Sequence, residues 1–69
     1  GQTGLAAKAI DVLSRAIELA PDDAESWLHR ALARVRTGRT GAARRDAIQF
    51  QRLRPTDPRG PDLLRTIDG

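Results

Sequence analysis

Residues 24–55 read AESWLHRALARVRTGRTGAARRDAIQFQRLRP, and residues 4–23 before them read GLAAKAIDVLSRAIELAPDD. Laid over one another at an offset of 34 residues, the two stretches match Gly4 with Gly38, Ala9 with Ala43, Leu19 with Leu53 and Pro21 with Pro55; Asp23 meets Asp57 just beyond. Helix-forming segments that recur at one such spacing, each closed by proline, mark a helical solenoid whose units stack to share a core. Such architecture directs function toward recognition and away from a catalytic cleft.

The local signals divide the repeat into helices. Residues 5–20 favour helix almost throughout, with Ala6, Ala9, Ile10, Val12, Leu13, Ala16, Ile17 and Leu19 placing apolar atoms around more than half the circumference. A helix that apolar expects neighbours on two sides. Pro21 ends it, and Asp22 or Asp23 can cap a second helix over residues 24–36, with Glu25 completing a capping box. Gly38 supplies the left-handed residue after that helix, and Thr40 or Gly41 opens a third that runs to Leu53 before Pro55. Short connections make the three antiparallel neighbours. Residues 56–61 read as a linker, and Leu63, Leu64 and Ile67 as a short terminal helix that caps its predecessor. The expected fold is therefore all-α: antiparallel helical hairpins of a solenoid, three helices and a short C-terminal capping helix.

Composition narrows the rest. A chain of 69 residues buries only about 60 % of the surface its unfolded state exposes, so its own core is marginal. Trp27 and Phe50 are its two aromatics, and the many alanines favour close helix contacts through small side chains. Without cysteine, neither disulfides nor thiolate metal sites contribute. No apolar run approaches a membrane span. The chain opens on Gly1 without an initiator methionine, as expected of a fragment or a processed product, and gives no address for a compartment.

The second and third helices together resemble a tetratricopeptide repeat, with Trp27, Gly38, Ala43 and Pro55 at the spacings of that 34-residue helix-turn-helix unit. Residues 4–21 resemble the second half of a preceding repeat. The likeness covers residues 4–57, about one and a half repeats; residues 1–57 are then the repeat region, and 58–69 the linker and cap. Departures are informative too. Arg30, Ala31 and Arg34 stand where the family places leucine, a small residue and tyrosine, and Ala47 and Phe50 exchange the usual small and aromatic positions. Ile10 and Ile17 become Arg44 and Gln51 one period later, as expected where no full repeat follows. At the other end, residues 5–19 lack a polar outer face, so upstream repeats, a second copy or another protein is expected to cover them.

The resemblance implies a concave face for an extended peptide or partner helix, formed here by Glu25, Leu28, His29, Leu32, Val35 and Arg36. Leu28, Leu32 and Val35 fall at i, i+4 and i+7, a stripe that a peptide or the terminal helix can equally fill. Ile10, Leu13 and Ile17 are expected in packing or in self-association, with a homodimer as one outcome. A carboxylate clamp of lysines and asparagines is not available, because Lys8 is the one lysine and asparagine is absent.

Charge is uneven. Residues 1–26 carry a net −3, whereas residues 27–55 carry eight arginines against Asp46 alone. Arg30, Arg34, Arg44 and Arg45 are thus expected to form a basic surface for an acidic partner or nucleic acid. Base readout has no aromatic interleaving to support it. His29 is the sole histidine and pairs by spacing with Glu25, too little for acid–base chemistry. No metal set and no phosphate-cradling glycine motif occurs, so neither enzymatic chemistry nor a cofactor is implied. Function is expected to be that of a scaffold that binds protein.

Overall fold

Pro21, Gly38 and the Pro55 to Pro58 turn divide a helix-rich chain into four segments, and each becomes a helix. The computed structural model describes residues 2–69, with side chains from Gly4 onward. It is all-helical, with α1 (Gln2–Leu19), α2 (Ala24–Arg36), α3 (Thr40–Leu53) and α4 (Arg59–Asp68), and no strand among the described residues. The second and third helices have the bounds expected from sequence. The first starts three residues before the expected Leu5 and ends one before Ala20.

Neighbouring helices run antiparallel. Ala6 and Ile10 near the start of α1 pack against Ala33 near the end of α2. Arg44 at the start of α3 bonds Asp68 at the end of α4, while Gly60 at the start of α4 lies buried against Phe50 and Gln51. The main core joins α2, α3 and α4: Ala24, Leu28, Ala31, Ala47, Phe50 and Leu63, flanked by Trp27, Leu53, Leu64 and Ile67. Alanine at the α2–α3 contact lets the helices approach closely, and Phe50 fills the space that remains. Ala47 and Phe50 are both fully buried.

Two local expectations need correction. Asp23 occupies the N-cap position of α2, yet its carboxylate accepts the Ser26 hydroxyl at 2.7 Å and bonds no backbone N–H; Glu25 turns to Arg59, so no capping box forms. The linker is also shorter than residues 56–61, because Gly60 and Pro61 lie inside α4. Proline is tolerated in a first turn, where its missing N–H would have had no intrahelical partner. Asp57 helps to start this helix by accepting the Arg59 backbone N–H at 2.9 Å.

Gly38 adopts φ +76°. Around it, the Arg39 N–H donates to the Arg34 carbonyl at 2.8 Å and the Gly38 N–H to the Val35 carbonyl at 3.1 Å, the paired bonds of a Schellman cap. A Cβ at this position meets no neighbour within 4 Å, so the glycine is needed for its backbone conformation alone. Gly38→Ala is accordingly expected to lower stability by about 1–2 kcal/mol in urea unfolding while leaving helicity unchanged.

Candidate functional site

An open groove of about 560 Å³ lies between α1 and α2. Its floor and walls are Leu5, Ala6, Ala9 and Leu13 from α1 and His29, Leu32, Ala33 and Arg36 from α2. The antiparallel α1–α2 pair creates it: Ile10 and Ile17 are buried, and the small side chains of Ala6, Ala9 and Ala33 leave a trough beside the contact. Leu32 remains 38 % exposed. On its other side it borders a smaller depression of about 270 Å³ with Leu28, Arg59, Asp62, Leu63 and Thr66, so it forms the ridge between the two.

The six residues expected on the concave face therefore separate. His29, Leu32 and Arg36 come together in the α1–α2 groove. Leu28 does not present itself to a partner, because α4 roofs it with Leu63 and it joins the main core. Val35 is half-buried and lines neither depression. Glu25 faces α4, where Arg59 donates to both its carboxylate oxygens at 2.7 and 3.2 Å; His29 Nε2 lies 3.8 Å away. Of the α1 residues singled out, Ile10 and Ile17 pack against α2 and Leu13 lines the groove.

The basic surface does not form as expected. Arg30 and Arg34 turn inward to Asp46, which is 2 % exposed: Arg30 donates through Nε and a terminal nitrogen at 3.0 and 2.9 Å, and Arg34 at 2.8 Å. Arg30 also donates to the Ser14 hydroxyl at 3.0 Å and lies 5.1 Å from the centre of the Trp27 ring. The excess of arginine in residues 27–55 predicts both side chains in solvent. A buried carboxylate on the next helix reverses that, since two guanidinium groups together can satisfy its lone pairs. Arg44 is tied to Asp68, so only Arg45 of the four stands exposed without an ion-pair partner among the described residues.

Sequence reasoning missed Arg59 altogether. Its guanidinium bridges Asp57 and Glu25 and lies 5.4 Å from the Phe50 ring centre, fastening α4 to α2 and α3. Arg59 holds the Glu25 and Asp57 carboxyls below their usual range, chiefly through side-chain hydrogen bonds, and is itself pushed up by Asp57 first and Glu25 second. Lowered carboxyl values add stability that is present above the unfolded values, near pH 4, and is lost as pH falls through the folded ones. The sequence signal was faint: Asp57 and Arg59 flank Pro58, and Glu25 lies 34 residues before Arg59. Along α1, Leu5, Val12 and Leu19 are 71, 66 and 84 % exposed.

Among the described residues no group of three or more His, Asp or Glu side chains is arranged to hold a metal, and no helix is long and apolar enough to cross a membrane.

Two measurements check this geometry. Asp46→Ala leaves Arg30 and Arg34 inward without their anion and is expected to cost about 3–5 kcal/mol in urea unfolding, whereas replacing all three together (Arg30→Leu, Arg34→Met, Asp46→Leu) is expected to restore stability. Arg59→Ala is expected to return Glu25 and Asp57 to ordinary carboxyl titration, seen as an upward shift of both midpoints in NMR pH titrations; unchanged midpoints would contradict the bridge.

Comparisons with protein families, with curated proteins and with solved structures return no match for this chain, so its function is argued from its own residues.

Proposed function

We propose that this chain is a protein-interaction module, a tetratricopeptide-like helical unit of a larger scaffold, which binds a peptide or partner helix in the groove between α1 and α2. The observation that carries the reading is the groove itself: an apolar floor from Leu5, Ala9, Leu13 and Leu32 under a polar rim of His29 and Arg36. Apolar floors give affinity and a few rim groups fix orientation, as in helix-in-groove recognition. Three of the residues that the resemblance assigns to a concave surface line it.

The packing pattern supports the repeat reading. Helix α1 meets α2 through Ile10 and Ile17, while α3 meets α4 through Arg44, Phe50 and Gln51. Arg44 and Gln51 are the residues one period after Ile10 and Ile17. The same helical face thus makes the onward contact in both halves, apolar in the first and polar in the second. An arginine-led function has less behind it, because three of the four expected basic residues are engaged within the chain.

Selection of a displayed peptide library on the folded chain tests the proposal. Enriched peptides are expected to lose about tenfold or more in affinity on Leu32→Glu, a change at an exposed groove residue, with helicity unaltered by circular dichroism. Failure to enrich any peptide over an unrelated helical protein, or indifference of the enriched peptides to Leu32→Glu, would sink it.

A further inference from the structure

Val12 and its neighbours on α1 present an apolar seam, Leu5, Ala9, Val12, Ala16 and Leu19, at alternating spacings of four and three residues. That alternation keeps side chains in one line along a helix and is the pattern of a helix–helix seam. Within the described residues α1 packs against α2 alone, through the adjacent face of Ala6, Ile10 and Ile17. Ala9 and Ala16 are half-buried, and the three large side chains of the seam stand largely in solvent.

The internal repeat identifies what such a seam receives. One period later Leu5 falls at Arg39, the exposed residue just before α3, while the other four positions are Ala43, Asp46, Phe50 and Leu53, and these are covered: the first three are buried, Leu53 packs on the core, and α2 lies antiparallel across them. What α2 does for α3, nothing among the described residues does for α1. The chemistry differs at one decisive position, because Val12 stands where α3 has Asp46. Asp46 accepts Arg30 and Arg34 from its covering helix. Val12 accepts no hydrogen bond from its side chain, so a covering helix for α1 must place apolar atoms there; a guanidinium would be buried without a partner.

The edges of the seam set the flanking charge. Lys8 and Arg15, seven residues apart, run along one edge, and His29 and Arg36 line the other across the groove. Lys8, Arg15 and Arg36 form no ion pair among the described residues. Asp11 and Glu18 lie farther round α1, beyond Lys8 and Arg15, at 100° per residue. A second copy is a poor occupant, because an antiparallel α1–α1 pair centred on Val12 sets Lys8 beside Arg15 of the other copy at both ends.

Resting on the interaction-module reading, we infer that the occupant is an amphipathic helix of another protein, apolar along its centre and acidic on both flanks, lying antiparallel on α1 as α2 lies on α3. It fills the groove and covers Leu5, Val12 and Leu19. Its carboxylates meet Lys8 and Arg15 on one side and Arg36 on the other.

Three fluorescent peptides of about four turns each test this by anisotropy against the full chain, with amide shifts mapping the contact. The first carries leucine and alanine at alternating four and three spacing with glutamate on both flanks. The second has lysine in place of every glutamate, and the third is residues 22–37 of this chain. The acidic peptide is expected to bind about tenfold or more tighter than the lysine peptide at low salt, with the gap closing as salt screens the edges. It should shift Val12 and Leu19 amides and weaken about tenfold or more on Val12→Glu, a change at an exposed site that keeps native helicity. The 22–37 peptide should not compete. Equal affinity for both charge types, or competition by the 22–37 peptide, would overturn the inference. A dimer in light scattering that Val12→Glu dissolves would assign the face to a second copy. Library peptides that depend on Leu32 but leave the Val12 and Leu19 amides unmoved would defeat this occupant while the module reading stands.

Discussion

One buried carboxylate organises the helices. Asp46 projects from α3 into the contact with α2, where Arg30 and Arg34 meet it, and Arg30 reaches on to Ser14 of α1. A charge taken out of water is tolerated only when its hydrogen-bonding capacity is met. Two arginines do so here, from positions one turn apart on a single helix. The pairing fixes the rotation of α2 about its axis. With Arg30 and Arg34 turned to α3, Leu28 must face α4, and His29, Leu32 and Arg36 must face the groove with α1. A sliding or rotated α2 would strand the carboxylate, so the network selects one register among several that alanine-rich surfaces would otherwise accept.

The helices were legible because their boundaries rest on local chemistry. Pro21 and Gly38 punctuate the chain whatever packs around them, and the bounds of α2 and α3 follow. Side-chain roles were less legible, since they depend on what the neighbouring helix presents. Arg30 and Arg34 read as surface cations because charge on a helix is normally solvated; only the cross-helix position of Asp46 makes them interior. The clue was present, as Asp46 is the lone acid among eight arginines in residues 27–55. Leu28 read as an open groove residue for the mirror-image reason, since its cover arrives from Leu63 in a helix whose start was hidden by Gly60 and Pro61. Of the concave surface expected from resemblance, half its residues reach the groove.

The two ends of the helix stack are finished differently. At one end, α4 lies over α3, with Arg59 spanning Asp57, Glu25 and the Phe50 ring and Arg44 tied to Asp68. Polar contacts at that rim suit a surface that meets water. At the other end, α1 keeps an apolar seam in solvent, bordered by Lys8, Arg15 and Arg36, which form no ion pair among the described residues. The internal repeat makes this contrast interpretable, because equivalent positions on α3 show how the same face looks when a helix covers it.

The central claim, that Asp46 holds Arg30 and Arg34 in the interior, is tested most directly by NMR of the arginine side chains. Hydrogen exchange at the Arg30 Nε–H and at the terminal nitrogens of Arg30 and Arg34 should be slow compared with exposed Arg45, with correlations across the hydrogen bonds to the Asp46 carboxylate. Exchange at the rate of Arg45, with no coupling to Asp46, would mean that the arginines face solvent and that something else sets the register of α2.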